Sequence, residues 1–485
     1  MTVIFDTAIT REELRGKRVT IVGLGKGRTT AGLAQFLVKS GAQVTVSDAR
    51  SREENAEGIA RLGDTPIEFV FGPSSDDMAL ADPELVFVIP GIRPRSATIL
   101  RALQRDIPVL TEIALFFRLC PAPIVGVTGT KGKTTTTTMI ERILQRGPRR
   151  VVTGGNIGRS IIQDLDTITK NDVVLLELSS FQLETLGMSP HVAVITNVSE
   201  DHIDHHGTRE SYIAAKRNIV AWQGPKDIAV INLDDPAVVA MHTGSASEAR
   251  GYSLTMRPRH GAFLDPSGRL VLSDGAQQIP LIEARELRVV GRHNIANALA
   301  AAVAGQAMGV PAPQIAGALR EFEGVTHRLQ RVDEIAGVLW VDDSAATTPA
   351  ATLSALDAFD RTPVLILGGV SKGVDFAPLA RELSRRARAA VLIGPAADDI
   401  ASALDAATAG PRAPHLPIRR VAGLADAVSA AQALAQPGDV VLLSPACAAR
   451  EDITRAKTID AFNSADERGE RFVALVRELA KGGPA

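Results

Sequence analysis

Short runs rich in apolar residues recur along the chain. Lys17–Val22, Ala42–Ser47, Leu85–Ile89, Ile124–Val127, Asp172–Leu178 and His191–Thr196 are such runs, and Val338–Val341, Val364–Leu367, Ala390–Ile393 and Val440–Leu443 continue the pattern. Each is short and reads as a strand, and the near-continuous apolar runs Asp172–Leu178 and His191–Thr196 predict strands covered on both faces. Stretches with helical character lie between them, including Ala31–Ser40, the segment opening at Tyr212, and the Ala-rich segment from Gly291 to about Met308. Strand–helix alternation predicts an α/β chain with parallel, doubly wound sheets. Glycine-rich or polar segments follow the apolar runs. That puts them at the carboxyl edges of the sheets, where such folds bind ligands.

The first of these segments is Gly23-Leu24-Gly25-Lys26-Gly27, and the next strand ends in Asp48. This is the opening βαβ unit of a dinucleotide-type fold, but the third glycine of the fingerprint falls on Arg28. Nicotinamide chemistry is therefore one reading among others. Pro90-Gly91-Ile92 forms a later turn at the same edge, either a ligand contact or a simple chain reversal.

The second segment, PIVGVTGTKGKTTTTT from Pro123 to Thr138, is more specific. A strand breaks into a loop with Gly129, Thr130, Lys131 and Gly132, and Lys133, Thr134, Thr135 and Thr136 open a helix. Backbone N–H groups and the helix N-terminus favour a phosphate there. Lys133 would reach the terminal phosphates and the Thr134 hydroxyl would sit on Mg²⁺. The strict Walker spacing wants a glycine at Val127, so only the Gly-Lys-Thr end matches.

Glu177 interrupts an apolar run, which is costly unless it pairs with a cation or a basic side chain. Asn197-Val198-Ser199-Glu200-Asp201-His202-Ile203-Asp204-His205-His206 then gathers three histidines and three acids in seven residues. One histidine with carboxylate and phosphate oxygens suits Mg²⁺ or Mn²⁺ better than zinc. His205 and His206 are expected to be solvated loop residues. Lys216 would ordinarily be a surface charge. Asn294 and Asn297 share a helix face and would cap the helix or contact a base.

Composition narrows the classes. The chain has 485 residues, so about three domains of ~150 residues are expected. Lys+Arg number 53 and Asp+Glu 55, with 4% aromatics, which argues against a nucleic-acid binder. Two cysteines, Cys120 and Cys447, suggest neither disulfides nor a zinc cluster and fit a reducing compartment. The first residues do not read as a signal peptide and no apolar run is long enough for a membrane span. A cytoplasmic monomer is expected.

Taken in order, the motifs resemble the Mur ligase family of peptidoglycan synthesis. They are GTKGKTT at Gly129, GGNIG at Gly154, ELSSFQLE at Glu177, NVSEDHIDHHG at Asn197 and AAK at Lys216. GRHNIANALAA at Gly291, HRL at His327, DDSAATT at Asp342, LGGVSKGVDF at Leu367 and SPACA at Ser444 follow. The ELSSFQLE and LGGVSKGVDF segments resemble the glutamate-adding branch.

The resemblance implies a Rossmann-like N-terminal domain over residues 1–111 holding UDP, a central P-loop ATPase domain over 112–324, and a Rossmann-like, doubly wound C-terminal domain over 325–485 for the amino acid. It implies that ATP phosphorylates the carboxylate of UDP-N-acetylmuramoyl-L-alanine and that glutamate attacks the acyl phosphate. Thr134 and Glu177 would hold one Mg²⁺ and His202 the second. Lys216 matches the position the family carbamylates with CO₂, supplying an anionic ligand. Asn294 and Asn297 would contact adenine, and Arg328 and Asp343 the nucleotide, which implies domain closure. Gly25, Lys26, Asp48, Arg50, Gly91 and Asn156 would bind the UDP substrate, and Thr347, Lys372 and Ser444 the glutamate.

Two departures fall in the amino-acid pocket. Ala345 and Thr348 stand where the family has lysine and asparagine, and Ala449-Arg450-Glu451-Asp452 replaces the usual sequence after SPACA. Relatives that add L-glutamate alongside an epimerase share the TTP ending, which keeps that stereochemistry open. A folylpolyglutamate-type ligase would share the central residues but lack the first domain. A nicotinamide oxidoreductase would leave Lys133, Glu177 and His202 idle. A non-catalytic nucleotide-binding regulator would bind ATP without amino-acid-dependent phosphate release.

Overall fold

The computed structural model describes residues 4–5, 7–25, 28–75, 80–157, 160–289, 291–371, 373–409, 416–449, 462 and 464–482. Lys26 and Lys372 lie outside them. The chain forms two compact units, one of residues 1–286 with 293–320 and one of residues 287–292 with 321–485.

The first unit holds two sheets. β1 (Arg18–Val22), β2 (Gln43–Asp48), β3 (Ile67–Phe71), β4 (Leu85–Val88) and β5 (Val109–Leu110) form a five-stranded sheet in the order β3-β2-β1-β4-β5. All its pairings are parallel. The order reverses direction at β1/β4, which opens a crevice between the loops that follow those strands. The Gly23 turn and the Pro90-Gly91 turn flank that crevice, and Ile89 packs under Gly23 so closely that a Cβ there would meet its Cδ1 at 2.7 Å.

The second sheet is built from β6 (Ile124–Thr128), β7 (Val151–Gly155), β8 (Val173–Glu177), β9 (Val192–Ile195), β10 (Ile228–Asn232) and β11 (Glu248–Ser253). β12 (His260–Leu264), β13 (Arg269–Asp274) and β14 (Gln278–Glu283) extend it to nine strands, in the order β14-β13-β12-β11-β10-β9-β6-β8-β7. β6, β8, β9 and β10 are buried along nearly their whole length, as continuous apolar runs require. β12 to β14 form an antiparallel extension. One core joins both sheets and includes Ile113 and Phe116 of the helix Glu112–Leu119 together with Ile161 and Ile162.

The second unit has β15 (Gln330–Ile335), β16 (Val338–Asp342), β17 (Pro363–Gly368), β18 (Ala389–Ile393), β19 (Ile418–Arg420) and β20 (Val440–Leu443) in the order β15-β16-β20-β17-β18-β19. Only β15/β16 is antiparallel among these pairings. Alternate residues feed opposite cores. Leu339, Val341, Leu365 and Leu367 enter one, while Val338, Trp340, Val364 and Ile366 enter the other. That period of two is what a sheet covered on both faces demands.

Candidate active site

The phosphate loop runs from the end of β6 into the helix Lys133–Leu144. Gly129 adopts φ +150°, and a Cβ there would meet Thr196 Oγ1 at 1.8 Å. Gly132 is left-handed at the helix N-terminus and faces Asn297, whose Oδ1 would lie 2.6 Å from an added Cβ. Only glycine fits either position. The Asn197 segment after β9 braces the loop. Thr130 N–H donates to Asn197 O (2.8 Å), Lys131 N–H to Asn197 Oδ1 (3.0 Å), and Asn197 Nδ2 returns to Lys131 O (2.8 Å).

Two lysines converge on this loop. Lys133 Nζ donates to Gly129 O and Thr130 O, both at 3.0 Å, and Lys216 Nζ donates to Gly129 O at 2.9 Å. Lys216 is 2% exposed rather than on the surface. Burial, and then the neighbouring Lys133 charge, lower its pKa to about 7. Its ammonium lies 4.8 Å from the Tyr212 ring centre, and the Tyr212 hydroxyl is 3.0 Å from Thr130 Oγ1. Tyr212 is a site residue the sequence analysis missed. Its position one helical turn before Lys216, in the helix Arg209–Ala221, is the signal that was available.

Glu177, at the tip of β8, is 2% exposed. Asn156 donates its Nδ2 to Glu177 Oε1 at 2.8 Å and its N–H to Glu177 O at 2.7 Å. Glu177 Oε2 is buried with no hydrogen-bond partner. The salt-bridge alternative for this carboxylate finds no support in these contacts. A lone buried anionic oxygen beside a phosphate loop is what a divalent cation would satisfy. Thr134 stands half-buried in the first turn of the helix. His202 is exposed and left-handed at φ +51°, with Phe181 edge-on at 4.9 Å and Asp201 Oδ2 at 3.6 Å.

Asn294 and Asn297 do share a face of the helix Arg292–Ala307, and Asn297 Nδ2 donates to Asn294 Oδ1 at 3.1 Å. Both are buried. The contact with Gly132 sets Asn297 against the phosphate loop.

In the first sheet Asp48 is already committed. Its Oδ2 accepts from Leu24 N–H at 2.9 Å, and Arg50 approaches both oxygens at 3.0 Å. The Arg50 guanidinium and these N–H groups overcome the cost of burial and hold the carboxyl far below its usual range. Asp48 therefore holds the Gly23–Gly25 turn in shape rather than lying open to a ribose. Arg50 also reaches Gly25 O at 3.3 Å and keeps an exposed face. Gly91 is exposed at φ +104°.

In the second unit, Asp343 accepts from Ser444 Oγ at 2.8 Å and from Leu329 N–H at 3.2 Å. Burial pushes its pKa up to about 7. Ser444 is 0% exposed, and its Oγ also lies 3.1 Å from Thr352 Oγ1. Ser444 is expected to contact glutamate; in this structure its buried hydroxyl pairs with Asp343. Arg328 is exposed and Thr347 half-exposed. Thr348 caps the helix Pro349–Leu356 by accepting from Ala351 N–H, with Pro349 at its first position, so the TTP ending is a helix start.

Arg468, 0% exposed, was not anticipated. It donates to Ser344 Oγ (3.0 Å), Ser344 O (2.9 Å), Cys447 O (3.2 Å) and Gly368 O (3.4 Å). One side chain thereby ties together the loops after β16, β17 and β20.

Three family descriptions match the chain. Residues 17–111 match the Mur ligase MurD-like N-terminal domain, 127–305 the Mur ligase middle domain, and 327–447 the Mur ligase glutamate ligase domain. A UDP-N-acetylmuramoylalanine--D-glutamate ligase from Symbiobacterium thermophilum is 39% identical over 96% of this chain and 98% of its own length. The chain belongs to the Mur ligase family. A second such ligase, from Pelotomaculum thermopropionicum, is 37% identical over 96% of the chain and 99% of its own. Among solved structures, a UDP-N-acetylmuramate-alanine ligase from Thermotoga maritima covers 96% of this chain and 100% of its own, with TM-score 0.54 and 21% identity. That likeness concerns the Mur ligase fold alone.

Proposed function

We propose that this Mur ligase joins D-glutamate to UDP-N-acetylmuramoyl-L-alanine, consuming ATP and releasing ADP and phosphate. Near-full-length similarity to ligases named for this reaction, at 39% and 37% identity, supports the reading. Both the N-terminal and the glutamate ligase domain descriptions match, which favours it over a folylpolyglutamate-type enzyme. A nicotinamide enzyme would leave Lys133, Glu177 and His202 idle, and the Asp48–Arg50 pair occupies the carboxylate that a nicotinamide ribose would need.

The observation that carries the chemistry is the group formed by Lys133, Lys216 and the unpartnered Glu177 Oε2 around one glycine loop. Lys133 swings from its own loop carbonyls onto the terminal phosphates. Asn156 holds the Glu177 carboxylate by Oε1, which would leave Oε2 for a cation. Mg²⁺ fits that oxygen with Thr134 and, at a second position, His202; when bound it neutralises phosphate charge. Mn²⁺ would fit the same oxygens. Lys216, with a pKa of about 7, is largely the free amine above neutrality. It can add CO₂ and lose a proton to become a carbamate, which replaces a cation by an anionic ligand.

Asn294 and Asn297 face the nucleotide beside Gly132. Gly25, Arg50 and Gly91 line the UDP end of the first sheet. Thr347, Arg328 and Asp343 serve the glutamate and nucleotide ends of the second unit. No helix among the described residues is long and apolar enough to cross a membrane. We place the enzyme in the cytoplasm, as a monomer.

The test is trapping with hydroxylamine. Protein, ATP and UDP-N-acetylmuramoyl-L-alanine are mixed with the amino acid left out. An acyl phosphate will appear as the hydroxamate. Amide formation in the full reaction with no hydroxamate in the trap would rule out this route.

A further inference from the structure

His205 and His206 are not the solvated loop residues their sequence suggests. Their side chains are 8% and 0% exposed. Both turn inward from the short helix Ile203–His206 onto Glu184, which ends the helix Ser180–Leu183. His205 Nε2 lies 2.9 Å from Glu184 Oε2, and His206 Nδ1 lies 3.5 Å from Glu184 Oε1. One ligand atom from each of the three residues falls within 4.8 Å of the others. We propose that Glu184, His205 and His206 form a binding site for a divalent transition cation of the Zn²⁺ class.

One atom points to an ion beyond the hydrogen bond that His205 and Glu184 already share. His206 Nδ1 is buried and has no hydrogen-bond partner. Its other nitrogen, Nε2, is 3.0 Å from Ser180 Oγ. When Nε2–H donates to that hydroxyl, Nδ1 presents a bare lone pair towards a carboxylate. Two electron-rich atoms facing each other across 3.5 Å repel, and a cation between them removes the conflict. Tetrahedral zinc, with bonds of ~2.0–2.1 Å, separates its ligand atoms by about 3.3 Å, which the two contacts to Glu184, at 2.9 and 3.5 Å, bracket.

The rings are held in place before any ion arrives. Phe181 stands edge-on to His205 at 4.5 Å, His205 edge-on to His206 at 4.8 Å, and Tyr212 edge-on to His206 at 5.4 Å. The backbone at Glu184 is held by Asn218 Nδ2, which donates to Leu183 O at 2.8 Å and to Glu184 O at 3.3 Å. Two imidazoles and one carboxylate suit Zn²⁺, whereas Mg²⁺ and Ca²⁺ prefer oxygen alone. Three protein ligands leave a fourth position for water. The inference stands apart from the ligase reading, because none of the three side chains was assigned to ATP or substrate.

The experiment is equilibrium dialysis of chelator-treated full-length protein against Zn²⁺ alone, with no nucleotide. Visible absorption after Co²⁺ loading reports the coordination geometry. The wild type is expected to take up one saturable equivalent and to give a tetrahedral Co²⁺ spectrum. E184Q and H205Q each keep a polar group in place but remove a ligand atom. Each should weaken uptake beyond the roughly 10–100-fold that losing an outer-shell partner costs. H202A should retain the equivalent. No saturable uptake by the wild type would overturn the proposal. So would uptake that survives in either E184Q or H205Q, or uptake lost in H202A, which would place the ion with the nucleotide.

Discussion

Lys133 and Lys216 share the Gly129 carbonyl, so each depends on the charge state of the other. Lys133→Ala removes the cation that must follow charge onto the transferring phosphate. By analogy with the loss of one preorganised donor, it should lower kcat at least ~10²-fold in steady-state phosphate release. Wild-type turnover would contradict the assignment of the loop. Lys216→Ala removes the atom that would carry the carbamate. Its activity should recover in part when acetate or formate supplies the missing anionic oxygen, and no recovery at any concentration would count against a carbamate. At this scale the sequence already exposed the glycines and the Gly-Lys-Thr end, because backbone geometry and charge dictate those residue types. The roles of Asn197 and Arg468 were hidden because they depend on neighbours distant along the chain, whereas Tyr212 had a local signal in Lys216 one turn on. The burial of the Ser444 hydroxyl was not legible either, because its partner Asp343 comes from a distant segment.

Among the elements, the helix Glu112–Leu119 carries a testable consequence. Glu112 is buried at its start and accepts from Ser160 Oγ, and burial pushes its pKa up to about 7. In the unfolded chain it titrates near its ordinary value of 4.5. Between these values the folded state holds a proton that the unfolded state has released. Stability from this group therefore falls as pH rises across that window. Glu112→Gln keeps the shape without the titration. The urea midpoint of the wild type should drop relative to Glu112→Gln as pH goes from 5 to 7.5, and parallel profiles would contradict the buried neutral acid.

The strands β6, β8, β9, β16, β17 and β20 were legible as continuous apolar runs, since both their faces are covered. The extension β12–β14 was not. Its residues mix exposed ends and polar positions with buried ones, as in His260–Leu264 and Gln278–Glu283, which blurs the pattern of either a strand or a loop.

For the whole molecule, each of the three sheets presents glycine-rich or polar loops at its carboxyl edge, and in each the loop is braced by a side chain from a different segment. Asp48 braces the Gly23 turn, Asn197 the phosphate loop, and Arg468 the loops after β16, β17 and β20. The departures at Ala345 and Thr348 bear on the amino acid, and Thr348 is accounted for as a helix cap. Nothing in the structure explains the replacement of the family lysine by Ala345. That position makes the choice of amino acid the decisive measurement. ATP-dependent phosphate release should be followed with UDP-N-acetylmuramoyl-L-alanine and either D-glutamate or L-glutamate. Release with D-glutamate and not with L-glutamate is the predicted result. Release with L-glutamate alone, or with neither, would contradict it.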